Sequence, residues 1–258
     1  MIDSHCHLYI DASPQKQDEI VKSAVESGVD TIICIGIDAK SSRQSVELAD
    51  KYQSVYATVG LHPHDAKKYN DTLIMELQRL AGHKKVVAIG ECGLDYYRNL
   101  SPKDMQIKAF QAQLELAAEI NKPVVIHTRE SLEDAIATVS DFKSKLVGGV
   151  FHCFPGNAAD AERIFDLGFH VSFGGVITFK NSEMSKVAGF VDLDRVILET
   201  DAPYLTPEPF RGKPNCPAYV RYVYEKLAEL RAVSFQKIER TIDRNCRKLF
   251  RLVETFEG

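Results

Sequence analysis

Val86-Val87-Ala88-Ile89-Gly90-Glu91 carries four apolar residues into a glycine and then a carboxylate. An apolar run without polar alternation reads as a strand covered on both faces, as in parallel sheets whose crossovers are helices. Outward from it, the same pattern recurs in Met1-Ile2 leading to His5, Thr31 to Ile37, Val55 to Gly60, Pro123 to His127, Val147 to His152, Phe169 to Gly174 and Val196 to Asp201. Polar loop residues bound each run, and stretches of helical periodicity separate them. Eight runs in 258 residues leave about 32 per unit, which suits a strand, a helix and two short loops. Eight is also the number that closes a barrel, so the expected fold is α/β, a (β/α)8 TIM barrel. An open doubly wound sheet is the competing arrangement, but no G-x-G-x-x-G or G-x-x-x-x-G-K-[ST] phosphate fingerprint occurs.

The helices have their own signals. Ser101-Pro102-Lys103-Asp104 reads as an N-cap with proline at the first helical position and an acid at the third, followed by Ile107, Phe110, Leu114 and Ala117 at helical spacing. Ile20, Val21, Ala24 and Val25 mark one face of an earlier helix, and Gly28 sits where its C-terminal cap belongs. Val223, Leu227 and Leu230 mark a late helix; Ile238, Ile242 and Leu249 mark an extra C-terminal one that exceeds the repeat. No Gly/Ser-rich linker or composition shift divides the chain, so residues 1–258 are expected to form a single domain.

With 32 Lys+Arg against 36 Asp+Glu, the net charge of −4 excludes a histone-like polybasic protein. The 45% hydrophobic and 26% charged composition excludes intrinsic disorder and fibrous architectures. Met1-Ile2-Asp3-Ser4-His5-Cys6-His7 places an acid and two histidines where a signal peptide needs a basic and then an apolar segment. No apolar run approaches the roughly 18 residues of a membrane span, so no membrane partner is expected. The six cysteines form no Cys-x-x-Cys pair, which excludes zinc-ribbon and thioredoxin motifs and points to free thiols in a reducing cytoplasm. No obligate protein partner is evident.

A barrel carries its active site at the C-terminal strand ends. There the runs place His5 and His7, then His62 and His64, then Glu91, His127, His152 and Asp201. Only His83 and His170 fall elsewhere, and these read as structural or solvent-exposed. His5 and His7, two apart on a strand, point to one side, with Cys6 towards the other. Four histidines and two carboxylates from five strand ends would meet in a small space, where uncompensated burial of ionisable groups is prohibitive. A bound cation removes that cost. Imidazole and carboxylate without thiolate suit Zn2+, Mn2+, Fe2+, Co2+ or Mg2+. Six candidate ligands exceed the usual three of one catalytic zinc, so two divalent ions are expected, with Glu91 as the bridge. The resulting positive centre would attract phosphate.

Arg98, Arg129, Lys180, Arg211 and Lys213 follow strand ends and are candidates for phosphate contact. Tyr96, Tyr97, Phe154, Tyr204 and Phe210 lie in the same loops and are candidates for stacking on bases or for packing between loops. Glu199 and Asp3, each two residues before a candidate ligand, are candidates to orient a ligand from behind.

These residues fall into stretches that resemble the TatD family of metal-dependent deoxyribonucleases: Asp3-Ser4-His5-Cys6-His7-Leu8, Gly60-Leu61-His62-Pro63-His64, Gly90-Glu91-Cys92-Gly93-Leu94-Asp95-Tyr96-Tyr97-Arg98, Ile126-His127-Thr128-Arg129, Phe151-His152-Cys153-Phe154 and Glu199-Thr200-Asp201-Ala202-Pro203-Tyr204-Leu205. The late Arg211-Gly212-Lys213-Pro214-Asn215 segment is similar as well. The resemblance implies an amidohydrolase-like TIM barrel, a two-metal site and DNA exonuclease activity. It puts the metal ligands on His5, His7, Glu91, His127, His152 and Asp201, and a glutamate stands where many amidohydrolases carry a carboxylated lysine.

The expected chemistry is phosphodiester hydrolysis by a two-metal-activated water, with in-line displacement, Asp201 as the catalytic group that takes the water's proton and Glu91 as the second catalytic residue. His62, His64, Arg98, Arg129 and Lys213 are the expected substrate contacts. An acidic chain lacks the many cations of extended duplex binding, which favours single-stranded or frayed DNA ends as partner. Two alternatives remain open: metal-dependent hydrolysis of a small amide or lactone, and non-catalytic metal-dependent nucleic-acid binding.

Overall fold

Each apolar run forms a strand in the structure, a computed structural model that describes residues 1–252. The strands are β1 (Ile2–Cys6), β2 (Thr31–Ile35), β3 (Val55–Val59), β4 (Val86–Asp95), β5 (Val124–Arg129), β6 (Gly149–Phe151), β7 (His170–Phe173) and β8 (Val196–Leu198). All pair in parallel, in the order β1 to β8. The helices are α1 (Pro14–Glu26), α2 (Ala39–Lys51), α3 (Asp71–Ala81), α4 (Lys103–Glu119), α5 (Leu132–Phe142), α6 (Ala158–Asp166), α7 (Glu183–Phe190), α8 (Val220–Arg231) and α9 (Phe235–Phe250). This is the expected (β/α)8 TIM barrel, with α9 as its extra C-terminal helix.

Burial explains why the runs lack polar alternation. Ile32, Val124, Ile126, Val196 and Leu198 pack outwards with helix residues such as Val21, Leu77, Leu114 and Val223, while Ile33, Val125 and Ile197 pack inside the barrel. Both faces of β2, β5 and β8 are therefore apolar, whereas β1 and β7 also carry the buried polar residues Asp3, Ser4, His5, His170 and Ser172. Cys246, Leu249, Phe250 and Leu252 join that inner cluster, so the end of α9 plugs the barrel floor. Asn245 Nδ2 anchors it by donating to the carbonyls of Leu193 and Val196, each at 2.8 Å.

The seam between β8 and β1 closes through the segment that follows β8. The Ser4 hydroxyl donates to Leu198 O at 2.9 Å, Asp201 N donates to His5 O at 2.9 Å, and His7 N donates to Ala202 O at 2.8 Å.

Two local expectations change. Ser101 does not cap α4: its hydroxyl donates to His64 O and accepts from Lys67 N, tying the β3 loop down instead. On α1, Val21 and Ala24 are buried but Val25 is 51% exposed, because the apolar stripe is narrower than the spacing suggests. Gly28 does take the left-handed conformation expected past a helix end, with φ +83°. Among the described residues no helix is long and apolar enough to cross a membrane.

Candidate metal centre

The fourth strand does not end at Glu91. It pairs with β5 as far as Asp95 and Arg129, so Glu91 sits within a paired strand. Two glycines permit this. Gly90 (φ +133°) and Gly93 (φ +136°) lie so close to β5 that a Cβ would stand 2.4 Å from Val125 O and 2.1 Å from His127 O. Glu91 and His127 are thereby held on neighbouring strands with no side chain between their backbones.

Glu91 Oε1 lies 2.9 Å from His127 Nδ1, 2.8 Å from His152 Nε2 and 3.5 Å from His62 Nε2. Its other oxygen lies 3.5 Å from His5 Nε2 and 3.9 Å from His7 Nε2. Asp201 Oδ1 completes that second side, 3.7 Å from His5 and 3.6 Å from His7. Three groups bring donor atoms within 4.8 Å of one another: His5, His152 and Asp201; His5, His7 and Glu91; His62, Glu91 and His127. All six expected ligands are thus brought together, with His62 beside them.

The outward nitrogens fix what the inward ones offer. His7 Nδ1 lies 3.2 Å from Ile35 O, which can only accept, so Nδ1 carries the proton and Nε2 presents a lone pair to the centre. His127 Nε2 faces Asp95 at 3.2 Å, which leaves its inward Nδ1 free by the same logic, while His152 Nδ1 stands 3.5 Å from Glu199 without a hydrogen bond. A carbonyl or carboxylate behind each imidazole is the usual support of metal-ligating histidine. Neither nitrogen of His5 has a hydrogen-bond partner, although both are buried. The donor set therefore fits divalent cations. His62 is built the other way: the backbone N–H of His64 donates to its Nδ1 at 3.2 Å, so its inward Nε2 carries the proton and is a donor.

Burial opposes ionisation of Glu91, yet the imidazoles, His152 foremost, outweigh it and hold its carboxyl well below the usual range. Burial likewise opposes charge on His152, which Glu91 overcomes, raising its pKa. On His5 and His62 burial wins, and His62 is pushed down to about 4. Asp201 is lowered despite burial, chiefly by His7.

Asp95 is the residue the sequence reading left without a role. Buried, it receives His64 Nε2 at 2.8 Å and His127 Nε2 at 3.2 Å, and Arg98 N at 2.8 Å. Its signal was the even spacing from Glu91 on one strand. Glu199 accepts from Ser172 Oγ (2.6 Å) and Cys153 N (2.7 Å) behind His152. Asp3 accepts from Thr200 N (2.8 Å) and Thr200 Oγ1 (2.7 Å), and so steadies the chain beside Asp201; burial raises its pKa to about 8. His83 pairs with Asp50, and His170 is buried in β7.

The loops supply cations and rings. The Arg129 guanidinium stacks 3.8 Å from the Tyr97 ring centroid, Arg211 stacks on Phe179 at 3.7 Å, and Lys213 lies 5.7 Å from Phe210. Lys180 is exposed. Tyr97 and Tyr204 are about half exposed, and the Tyr204 ring lies 6.3 Å from that of His7. Phe154 is buried, Tyr96 donates to Asp134, and Phe210 stacks on Tyr219.

A barrel with such a cluster at its C-terminal mouth has the architecture of a metal-dependent hydrolase. The family model described as TatD related DNase matches residues 2–251. YabD of Bacillus subtilis, described as an uncharacterized metal-dependent hydrolase, is 39% identical, covering 98% of this chain and 99% of its own. A 3'-5' ssDNA/RNA exonuclease TatD of Pantoea ananatis is 35% identical, covering 98% and 100%. The crystal structure of the TatD homologue YJJV from Escherichia coli superposes with a TM-score of 0.90 at 32% identity, covering 98% of both chains. The chain belongs to the TatD family of metal-dependent hydrolases.

Proposed function

We propose that this chain, acting as one domain over residues 1–258, is a phosphodiester hydrolase that removes nucleotides from single-stranded or frayed DNA ends. The observation that carries the reading is Glu91, which turns one oxygen to each of two ligand groups. His5, His7, Glu91, His127, His152 and Asp201 would hold two divalent ions, Mg2+, Mn2+, Zn2+ or similar. Such ions, when bound, supply Lewis-acid polarisation of the phosphodiester and a more acidic water. Asp201 would take the proton of the attacking water. His62, with a proton on its inward nitrogen, donates to the phosphate, and His64, Arg98, Arg129 and Lys213 hold the strand. The name of the Pantoea relative supports a nucleic-acid substrate. Six unpaired cysteines support a cytoplasmic setting.

The test is metal-stripped protein resupplied with Mg2+, Mn2+ or Zn2+ and given single-stranded DNA labelled at either terminus. Stepwise shortening from one end only with metal is expected, and Glu91→Ala should lose bound metal and turnover together. Full metal content with retained turnover in Glu91→Ala would reject the bridge. Closed circular DNA cut as fast as linear strands would reject the end preference. Hydrolysis of cyclic amides or lactones in place of DNA would replace the reading altogether.

A further inference from the structure

A cavity of about 300 Å³ opens between the loops that follow β6 and β7, with Cys153, the residue after His152, in its wall. Phe154, Phe173, Val176, Ile177 and Met184 line it, and its inner wall is Cys153 and Ser172. That wall is tied to the back of the centre: Cys153 N donates to both Glu199 Oε1 and Ser172 Oγ, and Glu199 stands 3.5 Å from the outward Nδ1 of His152. The backbone of Cys153 turns into the left-handed region (φ +44°) to make these bonds.

The lining has almost nothing with which to read hydrogen-bonding edges. The Ser172 hydroxyl is committed to Glu199 at 2.6 Å, and the remaining side chains are apolar apart from one thiol. Phe154 and Phe173 meet edge to face, 6.2 Å between centroids. Met184, only partly buried, is an adaptable wall.

Resting on the phosphodiesterase reading above, we propose that this cavity receives the nucleobase of the strand's terminal nucleotide, by shape and apolar contact alone, while the adjoining phosphate sits at the ligand cluster. A slot without polar readout accepts every base. Apolar enclosure of the flat ring, not edge recognition, would then set where the strand end stops.

The experiment measures binding of thymidine 3'- and 5'-monophosphates to the metal-loaded protein by calorimetry, against the same sugar phosphates lacking the base. The base-bearing ligand should bind about tenfold tighter or more. The nucleotides of all four bases should agree within about threefold, because nothing reads their edges. Met184→Trp, which fills the slot, should bring nucleotide affinity down to that of the baseless ligand and leave the latter unchanged. Met184→Leu, of similar volume, should behave as the parent and shows that the fold tolerates the position. Equal affinity with and without the base, a strong preference for one base, or no effect of Met184→Trp would overturn the assignment. Strand hydrolysis read in parallel separates the two readings. Cutting by a protein that binds base-bearing and baseless ligands equally removes the slot and spares the nuclease; tighter binding of the base-bearing ligand without cutting does the reverse.

Discussion

His170 and His62 are both buried imidazoles pushed down to about 4, and they do unrelated work. In His170 burial is the main cause, with Arg195 and Lys248 adding to it, and no ligand group is near. The neutral form is native, so the unfolded chain binds the proton first as pH falls. Stability from this residue is therefore complete above pH 6.5 and declines as pH drops towards 4. Between pH 7 and pH 4, urea melts of the parent should lose up to about 3 kcal/mol more than those of His170→Gln. A difference that does not vary with pH would show that the imidazole is not what titrates. At this scale the sequence revealed which residues converge but not how each is turned. His62 and His7 occupy similar motifs, yet a main-chain donor behind one and a carbonyl behind the other decide which inward nitrogen bears hydrogen. The carbonyl behind His7 comes from β2 and the donor behind His62 from a turn only two residues on, and neither orientation shows in the spacing. Asp95 escaped for a related reason: β4 continues past Glu91 only because β5 pairs with it.

Strands and helices were legible where burial imposes a pattern, and less so where loops compete for the same side chain. All eight runs became strands because each is covered on both faces, whereas Ser101 was read as a cap and serves the β3 loop instead. The role of α9 was only half visible. Its periodicity announced a helix, but not that Leu249 and Phe250 would turn under the barrel to meet Ile33, Val125 and Ile197. Phe250→Ala should cost about 3–5 kcal/mol in thermal or chemical melting, since it removes a buried ring from the packed floor. A loss under about 1 kcal/mol would mean that the inner cluster closes without it.

For the molecule as a whole, a net charge of −4 and a centre that two bound divalent ions would make positive set the manner of association. If Arg98, Arg129 and Lys213 are the main phosphate contacts, log affinity for single-stranded DNA should fall with log salt at a slope of about −2. A slope beyond about −5 in titrations across salt would require a far larger basic surface. The seam has a separate consequence. The main chain that zips the last strand to the first also delivers Asp201, and Asp3 grips it there from below. A copy whose final strand has peeled away loses the Asp201 carboxylate, the proposed proton acceptor, while the inward imidazoles stay in place. On the proposed reading, misassembled molecules would fall silent instead of cutting phosphodiesters at random, a built-in safeguard.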